Sequence, residues 1–133
     1  MADKKTILYA EDNENVRWSC QGILKRLFPD VHIEVFEDGT SLEKRLKEGP
    51  APNVVLTDKN MPGIKGSQII VKYSPKLPGT KFIMLYGGNP NIAEYLVSKG
   101  LAYAYLLKPA TTEEISGTLN MALNSSRPTE SSQ

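Results

Sequence analysis

Apolar positions along this chain fall into two alternating rhythms, short unbroken runs and longer stretches with helical spacing. Ile7–Ala10 is a short apolar run that ends abruptly in Glu11, Asp12, Asn13 and Glu14, which predicts a strand running into an acidic loop. Beyond it, Val16, Cys20, Ile23, Leu24, Leu27 and Phe28 share one face of a helix that Pro29 closes. Val31–Phe36 sets Val31, Ile33 and Val35 against His32 and Glu34, a strand with one wetter face. A short helix around Leu42 and Leu46 follows Gly39 and stops at Gly49-Pro50. Val54–Thr57 reads as a third strand, ending at Asp58. After the turn Met61-Pro62-Gly63, Gly66–Tyr73 reads as helix, and Pro75, Pro78 and Gly79 make a loop. Phe82–Tyr86 is a continuous apolar run ended by Gly87-Gly88. Pro90–Lys99 reads as helix with Pro90 near its first turn and Gly100 at its end. Tyr103–Leu107 is the fifth strand, stopping at Lys108-Pro109. Thr111 or Thr112 caps a last helix over Glu113–Asn124, whose first turn is acidic.

Five strand signals thus alternate with five helix signals. Four of the strands show little polar alternation, the pattern expected when both faces of a sheet are covered. The fold class is α/β, a doubly wound (βα)5 arrangement with a parallel sheet and helices on both sides. The 133 residues suit one domain, expected over 1–124, with SSRPTESSQ at 125–133 expected to be a disordered tail.

Composition narrows the chemistry. With 16 basic and 15 acidic residues, no strong electrostatic case exists for bulk nucleic-acid or membrane binding. Cys20 and His32 are the only residues of their types, which excludes an intramolecular disulfide and makes a Cys- or His-based metal site untenable. Cys20 is expected as a buried small hydrophobe, His32 as a solvated strand residue and Trp18 off the apolar face of the first helix. Without a signal peptide pattern or a long apolar stretch, the expected location is the cytoplasm, with no membrane insertion.

The candidate chemistry sits at strand ends. In open α/β sheets, ligands bind beyond the carboxyl ends of the strands. Here the first strand ends at Glu11-Asp12, the third at Asp58 and the fifth at Lys108. If the first and third strands are neighbours, three carboxylates converge, and like charges that close need a neutralising partner. A hard divalent cation such as Mg²⁺ accepts carboxylate, backbone carbonyl and water as ligands. A metal, a lysine and a carboxylate together suit a transferring phosphoryl group, with an aspartate able to act as the nucleophile. The charge asymmetry agrees: residues 1–58 carry 8 basic and 11 acidic side chains, residues 59–133 carry 8 and 4.

With these residues in this order, the chain resembles a response-regulator receiver domain, the phospho-acceptor module of two-component signalling. The resemblance rests on Glu11-Asp12, on Asp58 in the run DKNMPGIKG and on Lys108-Pro109, and it covers about residues 4–124. It implies a flavodoxin-like three-layer fold with strand order 2-1-3-4-5. Asp58 would be the phosphorylated aspartate. Asp12 would ligate Mg²⁺, Glu11 would contact it directly or through water, and Asn60 would offer its backbone carbonyl. Lys108 would pair with Asp58 and then with the phosphoryl oxygens, across a cis peptide bond to Pro109. Gly87 would donate its amide to the phosphoryl group, and Tyr105 stands at the family's aromatic switch position.

The chain departs from the family pattern at Tyr86, where Thr or Ser is usual, and at Ala110, where Phe is common. Two functions follow. The first is a phosphorylation switch: a sensor histidine kinase or phosphotransfer protein supplies the phosphoryl group, and output passes to a protein partner or to self-association. Neither DNA binding nor turnover of a small molecule is expected, and any catalysis is confined to the chain's own phosphorylation and dephosphorylation. The second is a phosphorylation-independent interaction module with an atypical Tyr86.

Overall fold

Each apolar run becomes a strand and each helical spacing a helix. The computed structural model describes residues 4–125, in the order β1 (Thr6–Ala10), α1 (Glu14–Leu27), β2 (His32–Phe36), α2 (Gly39–Glu48), β3 (Val54–Asp58), α3 (Gly66–Tyr73), β4 (Lys81–Tyr86), α4 (Asn91–Ser98), β5 (Ala104–Leu107) and α5 (Thr112–Asn124). All strand pairs are parallel, and the sheet order is β2-β1-β3-β4-β5, the flavodoxin-like (βα)5 arrangement.

Alternation along the strands divides the interior in two. Leu8, Val55, Phe82 and Met84 face one side, where they pack with Leu42, Ile69, Ile70 and Leu96 from α2, α3 and α4. Ile7, Tyr9, Leu56, Ile83 and Leu85 face the other, against Cys20 and Leu24 of α1 and Ile115 and Leu119 of α5. Cys20 is buried as expected. The central strands β3 and β4 are buried along their whole length, which is why they read as unbroken apolar runs. Edge strand β2 is only partly covered, and its exposed His32 lies 3.1 Å from Glu34.

Helix ends follow local chemistry. The Asn13 side chain accepts from the Val16 amide at 3.0 Å and starts α1, and Asp38 does the same for α2 through Ser41 at 2.7 Å. Of the two threonines expected to cap α5, Thr111 does so. Its hydroxyl accepts from the Glu114 amide, and the Glu114 carboxylate accepts from the Thr111 amide, a reciprocal capping box.

Several element boundaries differ by a residue from the reading of the sequence. Lys81 belongs to β4 and is buried, its ammonium 5.9 Å from the centre of the Tyr103 ring, so a charged residue begins a strand whose apolar run starts at Phe82. Val31 and Tyr103 lie just outside β2 and β5, although the Tyr103 amide still bonds the Phe82 carbonyl at 2.7 Å. Ser74–Lys76 forms a single 3-10 turn around Pro75 where a plain loop was expected. The tail expected at 125–133 lies, apart from Ser125, outside the described residues.

Candidate functional site

The parallel ladder lines up the strand ends. Ala10 is level with Thr57 across β1–β3, and Asp58 with Leu85 across β3–β4, so Glu11-Asp12 and Asp58 leave the same edge of the sheet. The Glu11 amide bonds the Phe36 carbonyl at 3.0 Å and extends the ladder one residue past β1. Lys108 does likewise past β5, donating its amide to Tyr86 at 2.7 Å. The peptide bond that follows, Lys108-Pro109, is cis, as the resemblance implied.

Side chains from these ends meet. Carboxylate oxygens of Glu11, Asp12 and Asp58 all lie within 4.8 Å of one another. Glu11 and Asp58 are buried and Asp12 is exposed, so the cluster opens to solvent on the Asp12 side. The Lys108 ammonium sits 3.2 Å from Glu11 Oε1 and 3.3 Å from Asp58 Oδ2, bridging the two buried acids. Glu11 is further fixed by the Asn13 amide, which donates to Oε2 at 3.1 Å.

One lysine does not neutralise three carboxylates. Burial and the charge of Glu11 push the Asp58 carboxyl up to about 6, against the pull of Lys108. Burial works against the charged form of Lys108, but Asp58 and Glu11 outweigh it and hold the ammonium above its usual range. The donor set is hard oxygen throughout, short of positive charge and reachable from one side. Those properties fit Mg²⁺ and not a soft, thiolate-seeking metal.

The backbone around Asp58 is tightly confined. The Lys59 amide bonds the Leu85 carbonyl at 2.9 Å, and the Gly66 amide bonds the Lys59 carbonyl at 2.8 Å. A Cβ on Gly66 would stand 1.9 Å from the Asp58 carbonyl oxygen, so only glycine lets α3 start this close to the site. Asn60 is exposed in the same loop, two residues beyond Asp58. Gly87 is exposed, and an added Cβ there would meet nothing within 4 Å, which leaves its backbone open to an approaching group.

Tyr86 turns away from the α1–α5 side. It is buried in the core under α3 and α4, edge-on to Tyr105 with ring centres 5.5 Å apart and planes at 82°. Two supporting residues escaped the reading of the sequence. Arg17 donates to the Glu11 carbonyl at 2.9 Å and reaches the Asp12 carbonyl at 3.4 Å, pinning the acidic loop from the first turn of α1. Asn13 is the second. Its place ahead of an amphipathic run was a readable capping signal, whereas the reach of Arg17 back to two carbonyls left no pattern in the sequence.

Comparison with known proteins agrees with this geometry. The family model of the response regulator receiver domain matches residues 7–120. Over 69 residues, the chain is 38% identical to the uncharacterized transcriptional regulatory protein YesN of Bacillus subtilis (strain 168); the match takes in 51% of this chain and 18% of that much longer relative. Among solved structures, a response regulator receiver domain protein from Clostridium thermocellum is 25% identical with a TM-score of 0.78, covering 90% of this chain and 94% of that one. A DNA-binding response regulator of the LuxR family from Staphylococcus aureus is 28% identical with a TM-score of 0.79, covering 90% and 99%.

Proposed function

The chain belongs to the response regulator receiver domain family, and we propose that it is a Mg²⁺-dependent phosphorylation switch in which Asp58 accepts a phosphoryl group from a phosphohistidine on a partner protein. The observation that carries this reading is the meeting of Glu11, Asp12 and Asp58 within 4.8 Å, with Lys108 bridging two of them. A cation held by Glu11, Asp12, Asp58 and the Asn60 carbonyl would supply positive charge to the phosphoryl oxygens as the group arrives.

The chain's own residues do the rest. An Asp58 carboxylate oxygen attacks phosphorus, a P–O bond forms, and the P–N bond to the imidazole breaks with its electron pair leaving on nitrogen. Lys108 starts 3.3 Å from Asp58 Oδ2 and shifts to the incoming phosphoryl oxygens as Asp58 becomes an acyl phosphate. The open backbone at Gly87 admits that group and offers an amide to it. Output then passes to a protein partner or to self-association, and a cytoplasmic setting fits a chain in which no described helix is long and apolar enough to cross a membrane.

Intact-mass measurement after incubation with acetyl phosphate and Mg²⁺ tests the proposal. One added phosphoryl group is expected on the wild-type chain and none on Asp58→Asn or without the cation. An unmodified wild-type chain under several small donors and with a cognate kinase would refute it. A second reading, a phosphorylation-independent interaction module, draws on the burial of Tyr86 against Tyr105. It predicts partner binding that neither Mg²⁺ nor Asp58→Asn changes.

A further inference from the structure

Asp12 is the one acid of the cluster that no packing holds. Glu11 and Asp58 are buried and tied to Lys108, and Glu11 also accepts from the Asn13 amide. Asp12 is exposed, and its carboxylate has no hydrogen bond or ion pair among the described residues. Yet it meets the other two, with one carboxylate oxygen within 4.8 Å of theirs.

A side chain without a partner of its own is aimed by its backbone. Two peptide planes flank the Asp12 Cα, one carrying the Glu11 carbonyl and the other the Asp12 carbonyl, and together they set its φ and ψ. Arg17 Nη1 donates to both carbonyls, at 2.9 and 3.4 Å. Arg17 is placed in turn by the start of α1. Its amide donates to the Asn13 carbonyl at 2.8 Å, and the Asn13 side chain caps the helix by accepting from the Val16 amide at 3.0 Å. The helix start thus fixes the guanidinium, and the guanidinium fixes the direction of the Asp12 side chain.

Arg17 does this without occupying the site. It pairs with no carboxylate among the described residues, whereas Lys108 pairs with two. A guanidinium forked onto a carboxylate would cover the oxygens that a cation needs. Its permanent charge nevertheless repels a cation bound nearby. Geometry and field therefore make opposite predictions for the loss of Arg17.

We propose that Arg17 is a positioning residue that aims Asp12 at the Mg²⁺ site, an inference that rests on the switch proposed above, and that this gain outweighs the repulsion from its own charge. Calorimetric titration of Mg²⁺ into the full chain tests it, with urea unfolding under chelation to show that each variant is folded before the cation is added. Arg17→Ala is expected to bind Mg²⁺ roughly tenfold more weakly than the wild type, the scale of loss when a group that orients a metal ligand is removed. Repulsion alone would make it bind more tightly. Arg17→Lys keeps the charge on a shorter reach, so repulsion alone predicts no change, and roughly threefold weakening is expected. Arg26→Ala removes the same charge from the last turn of α1 and should bind as the wild type does. With acetyl phosphate as donor, Arg17→Ala should raise the Mg²⁺ concentration for half-maximal phosphorylation by the same factor as Kd, with the rate at saturating Mg²⁺ unchanged. Either Arg17 variant binding Mg²⁺ as tightly as the wild type, or Arg26→Ala weakening binding equally, overturns the role of Arg17 and leaves the switch standing. A wild-type chain that binds Mg²⁺ but is never phosphorylated overturns the switch and leaves Arg17 its role, and one that binds no Mg²⁺ overturns both.

Discussion

Asp58 carries its charge at a cost that pH can expose. Its folded-state carboxyl titrates at about 6 because burial and Glu11 oppose ionisation, against an ordinary value of 3.8. Between those values the folded chain holds a proton that the unfolded chain has released. The unfolding free energy contributed by this group therefore falls as pH rises from about 4 to about 6, and stays low above that. Removing the charge removes the penalty. Without a divalent cation at pH 7, Asp58→Asn is expected to be more stable than the wild type by on the order of 2 kcal/mol, and the difference should vanish below pH 4. Urea titrations across that range, with a chelator present, give the comparison. Mg²⁺ at ten times its dissociation constant should stabilise the wild type by about 1.4 kcal/mol. Asp12→Ala, the exposed member of the cluster, should lose that gain while folding normally. If Mg²⁺ stabilised Asp12→Ala as much as the wild type, Asp12 would have no part in holding the ion.

Glycines in the elements show where packing and where mere propensity decides. A Cβ on Gly66 would press on the Asp58 carbonyl at 1.9 Å, against backbone that cannot rotate aside. Gly66→Ala is expected to destabilise by about 1–3 kcal/mol and to slow phosphorylation, because relief requires moving Asp58 itself. Gly117, in the exposed middle of α5, meets nothing within 4 Å, so Gly117→Ala should stabilise by roughly 0.5–1 kcal/mol through helix propensity alone. Thermal melts of the two variants should move in opposite directions. The contrast also explains what the sequence made legible. Strand ends and helix faces were readable because burial on both sides of the sheet leaves unbroken apolar runs, and Glu11, Asp12, Asp58 and Lys108 each break such a run. The tight approach of Gly66 to Asp58 and the clamp from Arg17 arise where the chain folds back over a loop, and the buried start of β4 at Lys81 from packing near Tyr103. Such contacts carry no local period, so composition and spacing give no sign of them.

At the scale of the whole molecule, the sheet separates two compartments that the site joins. Asp58 and Lys108 meet at the strand ends, while Tyr86 and Tyr105 lock together in the core beneath α3 and α4. The two are one hydrogen bond apart across the β4–β5 ladder, since the Lys108 amide donates to the Tyr86 carbonyl. A rearrangement that carries a change at Asp58 to the β4–α4–β5 face by way of Tyr105 has to separate or turn that ring pair. An edge-to-face pair contributes about 0.5–1.5 kcal/mol beyond its buried area, which lowers the population of a rearranged state roughly 2- to 12-fold. Tyr86→Thr removes the ring and, with it, this resistance. It is expected to lower stability by about 2–4 kcal/mol, within the range of large-to-small core substitutions. Amide shifts around Tyr105 on addition of beryllofluoride and Mg²⁺ should then be larger than in the wild type. Tyr86→Phe preserves the packing and should behave as the wild type in both respects. Shifts of equal size in all three proteins would mean that Tyr86 packs the core without restraining Tyr105, and that a change at Asp58 reaches α4 by another route.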